Sequence, residues 1–98
     1  MSTLRQNGWK DFVNLCMQAK DSKHLSTLLD LFLTIDEKDS LATRLLIVRG
    51  LLDGEKTQRD LADHLKVSIA KITRGSNTLK QVNPALVKYL RDALEAKA

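Results

Sequence analysis

The sequence contains few aromatic residues, which make up 4% of its 98 residues, and only one proline and one cysteine. With Cys16 alone, no disulfide can form within the chain, and this favours a reducing, intracellular environment. No segment approaches the roughly 18–20 consecutive apolar residues that a membrane-spanning helix needs. Because residues 1–6 also lack the apolar core of a secretory signal, we expect a cytoplasmic protein that does not associate with membranes.

The sequence also lacks the residue patterns on which enzymes and metal sites depend. It contains no recognisable pair of acid and base groups and no glycine-rich loop that could hold a phosphate. His24 and His64 do not belong to any cluster with the spacing of metal ligands, and Cys16 on an apolar helix face is more typical of a core residue than of a nucleophile. We therefore expect neither enzymatic activity nor a bound metal.

The net charge of +4 is confined to one part of the chain. Residues 56–80 contain six basic and two acidic side chains, whereas the rest of the chain contains ten of each. A basic patch of this kind attracts the phosphate backbone of nucleic acids, although a solvated helix face is an alternative explanation.

The apolar residues recur at helical spacing, and no strand signal, internal repeat or low-complexity run is present. The sequence predicts a first helix over roughly residues 3–21 and a third helix that begins with a Thr34–Glu37 capping box and ends near Gly54. Asn83 and Pro84 are typical of the start of a last helix, predicted over residues 83–96. These signals predict an all-α fold in a single domain, 1–98.

Residues 25–33 are apolar on nearly all sides of the predicted second helix. A helix with so little polar surface needs cover on most of its faces, which a chain of this length has difficulty supplying by itself. A second copy of the chain is the simplest source of that cover, and a tightly packed monomer is the alternative.

Residues 57–80 predict a helix-turn-helix, with short helices over 57–65 and 68–80. Ala62 is small where the two helices would cross, and Ser68 is a typical N-cap for the second helix. Lys66 stands in the turn, where glycine is favoured because the backbone needs a positive φ. The basic patch favours DNA binding for this unit, whereas a helical hairpin used only for packing remains the alternative.

The segment 72–80, ITRGSNTLK, is a specific signature that most helix-turn-helix proteins lack. Together with the motifs around Trp9, Thr43, Gln58 and Asn83, it shows that the chain resembles the tryptophan operon repressor family of bacteria from about Trp9 to Leu94. The resemblance implies a six-helix subunit and an intertwined homodimer. It further implies a dimerisation core over 1–54, a reading head over 57–80, palindromic operator DNA as a partner and L-tryptophan as the corepressor.

The resemblance also implies a set of tryptophan-binding residues. Arg44 and Arg74 would stack on the two faces of the indole, and Arg74 would also pair with the carboxylate, since a planar guanidinium suits both contacts. The full set implied for tryptophan is Leu31, Leu33, Thr34, Arg44, Arg74, Gly75 and Thr78.

The carbonyl groups of Leu31 and Leu33 would receive the ammonium, Thr34 would lie near the carboxylate, and Gly75 would leave room for the indole. The alternatives are that Arg44 is an ordinary surface charge, that Thr34 is only an N-cap, and that Thr78 hydrogen-bonds within its own helix.

The predicted DNA-binding residues lie at the start of the first reading helix and on the second. Arg59 can approach a phosphate or a base, and Ile69 and Ala70 lie on the early turns of the recognition helix, where base edges are met. The full predicted set is Thr57, Gln58, Arg59, Ser68, Ile69, Ala70, Lys71, Thr73, Ser76 and Asn77.

Lys71 and Ala62 depart from the family pattern, which has threonine and lysine at these positions. Three hypotheses therefore stand at this point. The first is a tryptophan-dependent repressor, the second is a DNA-binding regulator with another ligand or none, because Lys71 crowds the site, and the third is a protein-interaction module that does not bind DNA.

Overall fold

The structure is a computed structural model and describes residues 2–95. These residues form six α-helices and no β-strand: α1 (Thr3–Met17), α2 (Ser22–Phe32), α3 (Ile35–Asp53), α4 (Gln58–Leu65), α5 (Ile69–Gln81) and α6 (Pro84–Glu95). The prediction of an all-α, six-helix chain is confirmed. Residue 1 and residues 96–98, which the predicted domain 1–98 and the predicted last helix 83–96 include, lie outside the described residues.

Short polar side chains begin the helices by binding backbone N–H groups that the first turn leaves free. Thr57 accepts from the Asp60 N–H at 3.1 Å, and Ser68 accepts from the Lys71 N–H at 3.3 Å. At the start of α6, Asn83 Oδ1 accepts from the Ala85 N–H at 2.8 Å. The helix starts that the sequence predicts at these three positions are therefore present.

The chain divides into two compact units, residues 1–38 and residues 39–98. In the first unit, the ring of Phe12 in α1 lies edge-on to the ring of Phe32 in α2, and their centroids are 5.4 Å apart. The centroids of the Phe12 and Trp9 rings are 5.8 Å apart. No residue of α1 or α2 is fully buried, and the Leu31 side chain is 76% exposed. The apolar segment 25–33 is thus left without the cover that its composition demands.

The first helix is shorter than the sequence predicts, because it ends at Met17 rather than near residue 21. Asp21 instead becomes the N-cap of α2 and accepts from the His24 N–H at 2.8 Å. The Lys20 N–H donates to His24 Nδ1 at 3.1 Å, which closes the turn between the two helices. These local side-chain hydrogen bonds compete with continuation of the helix, and α1 therefore ends although the apolar spacing continues beyond it.

In the second unit, a small core lies among α3, α4 and α5. Ile72 is completely buried, and Ile47, Leu61 and Ala62 are nearly so. Gly50 has a clear role here, because a Cβ atom at this position would lie 2.5 Å from Leu61 Cδ1. The absence of a side chain on α3 therefore allows the buried leucine of α4 to approach closely.

The turn between α4 and α5 has the backbone conformation that the sequence predicts. Lys66 ends α4 with φ at 58°, in the left-handed region that non-glycine residues rarely adopt. Its N–H bonds to the Asp63 carbonyl, and the Val67 N–H bonds to the Ala62 carbonyl at 3.0 Å. At the other end of the unit, the Arg91 guanidinium donates to the Leu52 carbonyl at 3.1 Å and so ties α6 to the last turn of α3.

Within residues 2–95 no helix is both long and apolar enough to cross a membrane. The predicted division into a dimerisation core at 1–54 and a reading head at 57–80 stays a prediction.

Candidate ligand cavity and nucleic-acid interface

A cavity of about 340 Å³ lies in the second unit, between one face of α3 and one face of α5. Its size is within the range typical of small-molecule sites. Its lining residues are Asp39, Ser40, Thr43, Arg44, Ile47, Val48, Lys71, Arg74, Gly75 and Thr78. Four of the seven predicted tryptophan-binding residues, Arg44, Arg74, Gly75 and Thr78, are thus brought together around one cavity.

The cavity is lined by more positive than negative side chains. Arg44, Lys71 and Arg74 contribute three cations, and Asp39 is the single anionic residue. Two ion pairs form among the side chains of residues 2–94, Lys38–Asp30 and Lys88–Asp92, and neither involves a residue of the cavity. Three cations without a carboxylate partner around one cavity favour an anionic group in the ligand.

At Gly75 the wall formed by α5 lies close to the wall formed by α3. A Cβ atom at Gly75 would lie 2.9 Å from Cγ2 of the buried Ile47, closer than real Cβ contacts come. The Thr78 hydroxyl donates to the Arg74 carbonyl at 2.9 Å, within α5. The bond within the helix foreseen as an alternative for Thr78 is therefore present, and the residue lines the cavity as well.

The other three predicted tryptophan-binding residues lie in the first unit, where α2 ends and α3 begins. Thr34 and Glu37 form the predicted capping box, with bonds of 2.8 Å and 3.1 Å in the two directions. Leu31 lies in the last turn of α2, and Leu33 is its C-cap. No backbone N–H of residues 2–95 bonds to either of their carbonyl groups, so both oxygens remain available to a donor.

Sequence reasoning missed six of the cavity residues as ligand contacts: Asp39, Ser40, Thr43, Ile47, Val48 and Lys71. The signal that could have found those on α3 is helical spacing, since Ser40, Ile47 and Val48 lie four before, three after and four after Arg44. Lys71 lies three residues before Arg74 on α5. It was predicted as a DNA-binding residue and, in the second hypothesis, as a residue that crowds the ligand site, but not as a ligand contact.

The predicted DNA-binding residues lie on α4 and α5 and in the segments just before these helices. All are exposed except Ser76, which is partly buried. The Thr73 hydroxyl donates to Gln58 Oε1 at 3.3 Å, and this bond links the two helices on their exposed side. The outer face of α5 also carries a shallow groove lined by Ala70, Thr73, Arg74, Asn77, Thr78 and Gln81.

Arg74 and Thr78 line both the cavity and this outer groove. The same two residues of α5 therefore border the candidate ligand site and the face that carries predicted DNA-binding residues. Among the side chains of residues 2–94, no group of three or more His, Cys, Asp or Glu residues could hold a metal ion.

Comparison with known proteins agrees with this geometry. The family described as Trp repressor protein matches residues 7–94. The chain belongs to the Trp repressor family. A Trp operon repressor homolog of Chlamydia trachomatis serovar D is 43% identical over 91 residues, which cover 93% of this chain and 97% of the relative.

Two further relatives of the Trp repressor family are similar to this chain over most of its length. A Trp operon repressor homolog of Chlamydia caviae is 45% identical over 89% of this chain and 86% of the relative. One of Vibrio parahaemolyticus is 41% identical over 92% of this chain and 87% of the relative. Membership of the Trp repressor family identifies the chain as a transcriptional repressor with a helix-turn-helix.

Proposed function

We propose that this chain represses transcription by binding palindromic operator DNA as a homodimer, with L-tryptophan as its corepressor. The observation that carries the proposal is the convergence of Arg44 of α3 and Arg74 of α5 on one cavity next to the helix-turn-helix. Two guanidinium groups can cover the faces of an indole, and one of them can pair with a carboxylate.

The helix-turn-helix supplies the surface for DNA in this proposal. Its basic stretch, residues 56–80, carries the whole net charge of the chain, and charge of this kind drives binding to phosphates. Ile69, Ala70 and Thr73 are exposed on the first turns of α5, from which a recognition helix contacts base edges. Arg59, exposed at the start of α4, is the candidate for a base or phosphate contact.

Homodimer formation is supported by apolar surface that the chain does not cover itself. In the first unit Leu4, Met17, Leu31 and Ile35 are between 76% and 85% exposed. Several large apolar side chains left this exposed in one unit favour burial against another chain. A two-fold dimer would present two copies of the helix-turn-helix to DNA, which is why a palindromic site is proposed.

Selection of DNA sites from a random duplex library, with and without saturating L-tryptophan, tests the proposal. We expect a palindromic sequence to be enriched only when tryptophan is present. Its affinity for the protein should then rise by about 5- to 150-fold on adding tryptophan, the usual range of coupling between two ligands. Calorimetry with tryptophan alone should show saturable binding.

A second candidate function is DNA-binding regulation with another ligand or with none. The observation in its favour is that the Lys71 side chain lines the cavity and takes space and charge there. This candidate predicts that the same palindrome is enriched with and without tryptophan. A chain that enriches no sequence, and that binds random duplex DNA without dependence on salt, would instead be a protein-interaction module.

A further inference from the structure

Lys71, which the sequence predicts as a DNA-binding residue, also lies at the candidate ligand cavity. Its side chain lines the cavity, on the same face of α5 as Arg74, Gly75 and Thr78. The spacing of these four residues, three or four apart in sequence, turns them all towards α3. Lys71 is therefore directed at the ligand site, although it lies on the helix that carries predicted DNA contacts.

The surroundings of Lys71 favour a carboxylate. The residue lies in the first turn of α5, where its own N–H is bound by the Ser68 hydroxyl. The N-terminal turn of a helix carries a partial positive charge, to which the ammonium of Lys71 and the guanidinium of Arg74 add. Asp39, the anionic residue of the cavity, lies on α3 and forms no ion pair with Lys71 within 4 Å.

We propose that Lys71 is a specificity-determining residue of the cavity and pairs with the carboxylate of the bound amino acid, together with Arg74. This inference rests on the proposed function, because it assigns a further contact to the same ligand. Its consequence is selectivity: the cavity distinguishes an amino acid with a free carboxylate from an analogue in which that group is neutral. A ligand with a second positive charge in place of the carboxylate is repelled by three cations.

The test compares two ligands on two variants by calorimetry in the absence of DNA. L-tryptophan has a carboxylate, and L-tryptophanamide has the same ring and ammonium with a neutral amide. Lys71→Met keeps the length of the side chain and removes its charge, and Lys71→Arg keeps the charge. Because Lys71 is exposed and outside the core, both variants are expected to fold, which circular dichroism verifies.

We expect Lys71→Met to weaken tryptophan binding by about two- to fivefold, the size of a solvent-accessible ion pair, and to leave tryptophanamide binding unchanged or stronger. Lys71→Arg should retain most of the tryptophan affinity. The matched control is Lys80→Met, which removes one positive charge from the same helix at a position that does not line the cavity. It should leave the affinities of both ligands unchanged.

The experiment distinguishes failure of the proposed function from failure of the role given to Lys71. If the parent protein binds neither compound, both the proposed function and this inference are overturned. If the parent binds tryptophan but Lys71→Met weakens both ligands equally, Lys71 shapes the cavity without pairing with the carboxylate. A third outcome is that Lys71→Met leaves both ligand affinities unchanged but makes binding to random duplex DNA less dependent on salt. If the slope of log affinity against log salt concentration falls by about one phosphate contact, Lys71 binds DNA and not the ligand.

Discussion

Gly75 of α5 and Ile47 of α3 lie so close that one methyl group between them cannot be accommodated. A Cβ atom at Gly75 would stand 2.9 Å from Ile47 Cγ2, and Ile47 is 4% exposed. The two residues therefore set the separation of the helices that form the walls of the cavity.

We expect Gly75→Ala to destabilise the protein, because overpacking a core contact costs about 1–3 kcal/mol. This cost exceeds the gain in helix propensity, which is roughly 0.5–1 kcal/mol. Gly8→Ala is the matched control, since Gly8 is also helical and nothing lies within 4 Å of the added Cβ. Urea denaturation should show a lower free energy of unfolding for Gly75→Ala and a higher one for Gly8→Ala. Equal effects of the two substitutions would contradict the role given to Gly75.

Lys66 stores backbone strain in the turn of the helix-turn-helix. A φ of 58° costs an L-residue roughly 1–2 kcal/mol, and glycine does not have this cost. Part of the gain in the free energy of unfolding is lost, because glycine makes the unfolded chain more flexible. We expect Lys66→Gly to raise the free energy of unfolding by about 0.5–1 kcal/mol. Lys66→Ala is the control, because it removes the same charge but keeps the Cβ atom. A thermal melt in which alanine stabilises as much as glycine would show that charge, and not strain, is the cause.

The features predicted correctly from the sequence are those that depend on neighbouring residues. The capping residues Thr34, Thr57 and Ser68 bond within three residues of their own position, so sequence spacing is sufficient to find them. The left-handed turn at Lys66 follows from the same local reasoning.

The features that could not be predicted from the sequence depend on contacts between residues of different helices. Gly50 has no local explanation, because its reason is Leu61, which belongs to another helix. Asp39 likewise becomes a cavity residue only because α3 and α5 face each other. The end of α1 at Met17 was mispredicted because the apolar period continues beyond it, while the bonds of Asp21 and His24 decide the turn.

The chain should form a dimer at micromolar concentration. The reason is the exposed apolar surface of the first unit, in which Leu4 and Leu31 are 82% and 76% exposed. Sedimentation equilibrium should give twice the 11.0 kDa mass of one chain. A stable, folded monomer of 11.0 kDa would remove this proposal and leave the apolar surface to another partner.

Arg59 should be required for DNA binding and not for tryptophan binding. It is exposed in the first turn of α4 and does not line the cavity. We expect Arg59→Ala to weaken operator binding by about 1–3 kcal/mol if it reaches a base, while calorimetry with tryptophan gives the parent affinity. Asp63→Ala, a change to another exposed residue of α4, is the control for effects on the helix. Unaltered operator affinity in Arg59→Ala would contradict the assignment.

Arg74 should couple the two ligands, because it lines both the cavity and the outer groove of α5. A ligand that fixes the Arg74 guanidinium also biases the position of the helix that carries Thr73 and Asn77. Coupling is reciprocal, so operator DNA must raise tryptophan affinity by the same factor by which tryptophan raises DNA affinity. We expect this factor to correspond to about 1–3 kcal/mol.

Arg74→Lys tests this coupling because it keeps the charge and loses the planar group that stacks on an indole and binds a carboxylate with two hydrogen bonds. Tryptophan binding should fall strongly, whereas binding to random duplex DNA at low salt, which depends mainly on phosphate neutralisation, should change less. The measurement is a titration of each ligand alone and in the presence of the other, on the parent and the variant. Arg59→Lys is the complementary control, expected to affect DNA and spare tryptophan. Two results would contradict this coupling: an unchanged tryptophan affinity in Arg74→Lys, or an operator affinity of the parent that does not depend on tryptophan. In either case, binding of a ligand in the cavity would not change DNA binding through α5. The remaining function would then be a DNA-binding regulator without a tryptophan corepressor.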